Sequence, residues 1–153
     1  QELNRGGGNF TSGIDYCEDV LYLAKICSNK QVPVAYVNKP LYNYDKSAAT
    51  SITSGRVTRK KYESQRAFYH EIQKVMPHLT NFQKSVIVGE LSLKAFAGDL
   101  LSAKEFYLDF HKERANIRTA PINNKIKPLI LLSTYGLYPV CRWAYKAYLR
   151  FNS

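Results

Sequence analysis

Apolar and polar positions recur with a helical period over most of this chain and with a two-residue period over one short stretch near its start. From Asp15 the spacing predicts a helix, with Asp15 as N-cap, Glu18 three residues on as in a capping box, and Val20, Leu21, Leu23, Ala24, Ile26 and Cys27 as its apolar face. That helix is expected to stop near Ser28 and Asn29. Residues 31–37 read as a strand, Asn38-Lys39-Pro40 as a turn, and residues 41–44 as a second extended piece rich in β-formers. Residues 45–55 carry Ser, Thr and Ala without an apolar period, which marks a loop and a boundary.

Beyond that boundary the pattern is almost wholly helical. Thr58 opens a segment with Tyr62, Tyr69, Ile72 and Met76 on one face, closed by Pro77. Thr80 with Gln83 opens the next, which carries Val86, Ile87, Leu91 and Leu93 and runs to about Gly98. Ser102 and Glu105 form a further capping-box pair ahead of Phe106, Leu108 and Phe110. After Pro121 come a short apolar helix to Gly136 and a last helix entered through Pro139. No repeat period is evident.

Composition narrows the class. The chain has 153 residues, 45% of them hydrophobic and 13% aromatic, enough for one domain with a real core. It begins at Gln1 rather than Met and opens on a Gly-rich run, so it reads as a piece of a longer protein whose missing part lies upstream. A net charge of +10 favours anionic partners, and no acidic residue follows Glu113, whereas Arg114, Arg118, Lys125, Lys127, Arg142, Lys146 and Arg150 accumulate there. The three cysteines, Cys17, Cys27 and Cys141, show no C-x-x-C spacing, which suits a reducing compartment without a disulfide framework or zinc site. His70, His78 and His111 share no metal-ligand spacing, and Gly6-Gly7-Gly8 lacks the Lys-Ser/Thr of a P-loop. The apolar run around 129–132 falls well short of the ~20 residues that span a bilayer.

The acidic pair at the first helix start carries the most specific signal. In order, Gly13-Ile14-Asp15-Tyr16-Cys17-Glu18-Asp19-Val20, an apolar helix, Val34-Ala35-Tyr36-Val37-Asn38-Lys39-Pro40-Leu41-Tyr42-Asn43-Tyr44 and Ser51-Ile52-Thr53 make a linked set. This set resembles the distal part of family 2 glycosyltransferases of bacterial surface-polysaccharide synthesis. There a Gly-Glu-Asp helix start, a strand ending in Leu-Tyr-x-Tyr and a Ser-x-Ser/Thr succeed one another. The likeness covers residues 13–53, about a third of the chain.

The resemblance implies an α+β, predominantly helical chain in which residues 1–55 form a short strand or hairpin remnant of a GT-A nucleotide-diphospho-sugar transferase domain. Residues 56–153 are then a C-terminal helical extension with a basic aromatic tail. It further implies an inverting transfer from a nucleotide-sugar to a glycan or lipid-linked acceptor, with Asp19 as general base and Glu18 as its orienting neighbour. The macrodipole favours an anionic side chain at such a position, and for the same reason acidic residues there also serve helices without any catalysis. Tyr42 and Tyr44 share one strand face, where they either border an acceptor groove or pack in the core. Ser51 and Thr53 either contact substrate or cap the next helix.

Two departures from the family pattern stand out. The residue after Tyr44 is Asp45 rather than a basic one, which leaves Lys46 to take a phosphate contact. No Asp-x-Asp occurs, so the divalent ion (Mg or Mn) and donor diphosphate of such enzymes are expected in a missing N-terminal half, with no cofactor here.

Two basic groups remain. Arg56, Arg59, Lys60 and Lys61 gather at a helix start, against the dipole, and read either as a diphosphate or membrane contact or as a solvated face. Arg142, Lys146 and Arg150 recur every fourth residue among Trp143, Phe151 and the tyrosines 135, 138, 145 and 148. This tail reads either as a helix on an anionic membrane or as one packed on the core. The expected location is cytoplasmic, with peripheral contact at the inner face of the inner membrane as the tail's first reading. A non-catalytic module docking on anionic membrane is the rival function; nucleic acid is not expected as a partner, because no reading motif accompanies the charge.

Overall fold

The computed structural model describes Ile14 and residues 18–28 and 57–152, with Glu18 and Asn152 described by backbone alone. All regular elements among these residues are helices: α1 Glu18–Ser28, α2 Arg59–Val75, α3 Asn81–Gly98, α4 Ala103–Phe110, α5 Arg114–Thr119, α6 Lys127–Leu132 and α7 Tyr138–Asn152. A wide π-type turn over Ser133–Leu137 joins the last two. The expected strand at 31–37 and extended piece at 41–44 lie outside the described residues, as does Asp15, the expected N-cap of α1.

Short polar side chains set the helix starts. Thr58 accepts from the Lys61 amide at 3.3 Å and begins α2. Thr80 with Gln83 and Ser102 with Glu105 form reciprocal capping boxes at α3 and α4, each satisfying two amides that no helical carbonyl reaches. By contrast, α5 is not legible in the hydrophobic pattern. It has six residues and no side-chain cap, so neither periodicity nor a start signal marks it.

The core is aromatic at its centre. Phe96 of α3 and Phe106 of α4 are fully buried, and Tyr138 of α7 packs edge-on to Phe96 at 5.9 Å and beside Phe106 at 4.9 Å. Tyr145 approaches Phe96 at 5.4 Å, and Phe110 approaches Phe106 at 4.9 Å. Ring pairs in these arrangements add to the burial of their area. Ile117, Ile130, Val88 and Ala95 fill the space around them. Ile14 and Leu21 join the same core and α1 packs on α2, so residues on both sides of the expected 55/56 boundary share one apolar interior.

Several expected core positions face water instead. Val20, Leu23 and Cys27 of α1 are exposed, because only the Leu21 and Ile26 side of the helix meets the body. Met76 falls past the last turn of α2, and Leu108 lies on the outer side of α4, opposite Phe106 and Phe110.

The middle of α3 lies tightly against Ala120, the residue that caps α5. A Cβ built on Gly89 would stand 2.5 Å from the Cβ of Ala120, so the absence of a side chain sets the approach of the two backbones. Gly89→Ala is therefore expected to destabilise the fold by about 1–3 kcal/mol despite the better helix propensity of alanine. Ala120→Gly in that background should recover most of the loss in a denaturant titration. An unchanged Gly89→Ala midpoint would show that the crossing is loose.

Candidate functional site

Asp19 is the second residue of α1 and its carboxylate is exposed, with Oδ1 accepting from the Val20 amide at 2.9 Å. Glu18 precedes it as the first helical residue. Tyr42, Tyr44, Lys46, Ser51, Thr53 and Arg56 lie outside the described residues, so no geometry joins them to Asp19. Among the described residues no group of three or more His, Cys, Asp and Glu side chains is disposed to hold a metal ion.

The basic cluster at the start of α2 is divided. Arg59 donates from Nε to Glu63 at 2.9 Å and from Nη2 to Glu105 at 2.6 Å, and so ties the first turn of α2 to the capping box of α4. Its guanidinium thus bridges two helices while about half of the side chain stays exposed. Lys60 is exposed and Lys61 half-buried on the same turn. Arg59 in turn holds the Glu105 carboxyl down to about 2, first by its hydrogen bond and then with help from the Ser102 amide and hydroxyl.

Arg142 departs furthest from its expected place. The regular spacing of Arg142, Lys146 and Arg150 suggests one basic stripe, yet Arg142 is buried at 8% exposure. Its Nη1 donates to the carbonyls of Phe96 and Ala97, and its Nε donates to Asp99 Oδ1 at 3.1 Å. The guanidinium thus closes the C-terminal end of α3, where unpaired carbonyls concentrate negative charge. Steps of about 100° explain the split: Arg142 falls on the side of Tyr138 and Tyr145, whereas Lys146 and Arg150 turn outward. Lys146 Nζ reaches Asp99 Oδ2 at 3.5 Å from a position 62% exposed, and Arg150 is exposed.

Asp99 itself occupies the left-handed region at φ 54°, unusual for a residue with a side chain. The Leu100 amide donates to Ala95 O and the Asp99 amide to Phe96 O, the paired bonds of a Schellman ending in which glycine is the usual occupant. An aspartate there places a carboxylate between Arg142, Lys146 and the Tyr138 hydroxyl. Partial burial opposes its ionisation, but the hydrogen bond and charge of Arg142, with Lys146 and Tyr138, outweigh it and hold the Asp99 carboxyl below its ordinary value.

A second polar cluster, not signalled by any local spacing, lies between α2 and α4. The buried Tyr62 hydroxyl donates to Asp109 Oδ2 at 2.9 Å, and Arg66 pairs with Asp109 Oδ1 at 2.8 Å. They line a cleft of about 160 Å³ with Tyr69, His70 and Glu113. Burial, followed by the charge of Asp109, pushes the Tyr62 phenol far above its usual range, and burial with the charge of Glu113 pushes Tyr69 up to about 12. The polar groups of this cluster satisfy one another across the two helices, and no described buried side-chain polar atom lacks a partner.

These charges make two predictions. Because the folded state depresses Asp99 and Glu105, both contribute stability above their ordinary values, and that contribution disappears as pH falls through the depressed ones. Stability should hold above roughly pH 5 and decline as pH drops from 4.5 toward 2, and Glu105→Gln should flatten that decline in urea titrations at stepped pH. Arg142→Met should cost about 2–3 kcal/mol, since it removes charged donors from the α3 carbonyls while Asp99 keeps partial access to water. No protein-family model, no curated protein and no solved structure matches this chain.

Proposed function

We propose that this chain is the acceptor-side and catalytic-base portion of an inverting glycosyltransferase that moves a sugar from a nucleotide-sugar to a glycan or lipid-linked acceptor. The observation that carries the reading is the exposed carboxylate of Asp19 on the first turn of α1, succeeded in sequence by Leu41-Tyr42-Asn43-Tyr44 and Ser51-Ile52-Thr53. A general base must be reachable by the acceptor, and Asp19 stands outside the core that claims Leu21 and Ile26.

In the reaction the acceptor oxygen bonds to the anomeric carbon on the face opposite the leaving group. The bond from that carbon to the phosphate oxygen breaks, the nucleoside diphosphate leaves with the electron pair, and Asp19 takes the proton of the acceptor hydroxyl. Glu18 orients the base, Tyr42 and Tyr44 flank the acceptor, and Lys46, Ser51 and Thr53 bind substrate. The divalent ion belongs, on this reading, to a donor-binding half beyond these 153 residues.

The test is made in a protein that joins this chain to a donor-binding half. Asp19→Asn should lower sugar transfer by roughly two to four orders of magnitude, with the donor KM little changed and the far-UV circular dichroism intact. Turnover near that of the unsubstituted protein would overturn the assignment.

A further inference from the structure

We propose that the outward face of α7 docks on the surface of an anionic lipid bilayer, with Trp143, Val140 and Phe151 entering the headgroup region and Lys146 and Arg150 lying along its edge. The burial pattern of α7 is inverted relative to an ordinary surface helix. Its inner side carries Tyr138, Cys141, Arg142 and Tyr145, whereas its outer side presents Val140 at 63%, Trp143 at 73% and Phe151 at 88% exposure. At about 100° per residue these three, with Ala147, form one stripe about 80° wide. Lys146 and Arg150 border that stripe on one flank. An apolar stripe with a basic margin and an interfacial aromatic is the arrangement that settles in the plane of a membrane interface.

Charge selects the occupant. No acidic residue follows Glu113, and the carboxylate that meets α7, Asp99, is engaged by Arg142 and Lys146. With a net charge of +10, a second copy of the chain would bring like charge against this margin, whereas anionic headgroups complement it. The burial of Arg142 strengthens the case for a fixed platform. It locks the inner side of α7 onto the end of α3, so the outer stripe is held facing away from the body. No described helix is long and apolar enough to cross a membrane, so contact of this kind is peripheral. The inference stands apart from the transferase reading and needs no step of it.

The chain supplies its own probe, because Trp143 is its single tryptophan. On addition of vesicles of phosphatidylcholine and phosphatidylglycerol in equal parts, its emission should shift to the blue and be quenched by acyl-chain-brominated lipid. Vesicles of phosphatidylcholine alone should produce much smaller changes, and added salt should reverse the binding. In co-sedimentation with the same vesicles, Lys146→Gln with Arg150→Gln should weaken binding on the order of tenfold. Trp143→Ser and Val140→Ser with Phe151→Ser should each weaken it comparably, with unchanged far-UV circular dichroism, since all three positions are exposed. The proposal is overturned if the anionic vesicles leave emission and sedimentation unchanged at lipid excess, or if the folded serine variants bind as tightly as the parent chain. A blue shift that grows with protein concentration in the absence of lipid would also overturn it, by showing that a second copy covers the stripe.

Discussion

The C-terminal half of this molecule is organised around one guanidinium. Arg142 sits where α3 ends, donating to the Phe96 and Ala97 carbonyls and to the Asp99 carboxylate. A helix end that points into protein leaves carbonyls without amide partners, and a buried cation needs acceptors in more than one direction. Each requirement satisfies the other at this point. The same contact fixes the rotation of α7, which brings Tyr138 and Tyr145 onto Phe96 and leaves Trp143 outside. The left-handed conformation of Asp99 belongs to the arrangement, since glycine would ease the backbone but offer no charge to Arg142, Lys146 and Tyr138.

A parallel bond secures the turn before α7. Arg114 donates from Nε to the Thr134 hydroxyl at 3.1 Å and from Nη2 to the Thr134 carbonyl at 2.6 Å, and its guanidinium lies 3.8 Å from the Tyr135 ring centre. Arg114 and Arg142, both from the basic run after Glu113, are thus engaged by backbone carbonyls inside the fold. The surface is less basic than a count of the tail implies, and its cations are confined to fewer positions. That confinement makes Lys146 and Arg150 a margin rather than part of a continuous stripe.

Local signals in the sequence locate the helix starts well, because a hydroxyl that accepts from the amide three residues on acts within one turn. Thr58, Thr80 and Ser102 all mark observed boundaries. Apolar periodicity identifies the helices more reliably than their buried sides: Leu23, Met76 and Leu108 match the pattern yet face outward, because a neighbouring helix decides which side is covered. Contacts between distant residues leave no trace in spacing. Arg142 with Asp99, Arg59 with Glu105 and Arg66 with Asp109 each join separate helices, and a basic residue at helical spacing reads the same whether it meets solvent or a carboxylate. Of the candidate transferase site, Asp19 stands at the start of α1 and is exposed, while Tyr42, Tyr44, Lys46, Ser51 and Thr53 lie outside the described residues.

Gly136 gives the chain a separate property. It stands at φ 92° with open space where a Cβ would project, so what it supplies is backbone freedom rather than room. Its positive φ interrupts the helical path between α6 and α7, so the side chains of α7 do not inherit the angular phase set by Ile130. The break uncouples the two phases. Tyr138 and Tyr145 of α7 can then turn onto Phe96 while Ile130 of α6 enters the same core from an unrelated face, so one left-handed residue lets two consecutive helices be oriented separately.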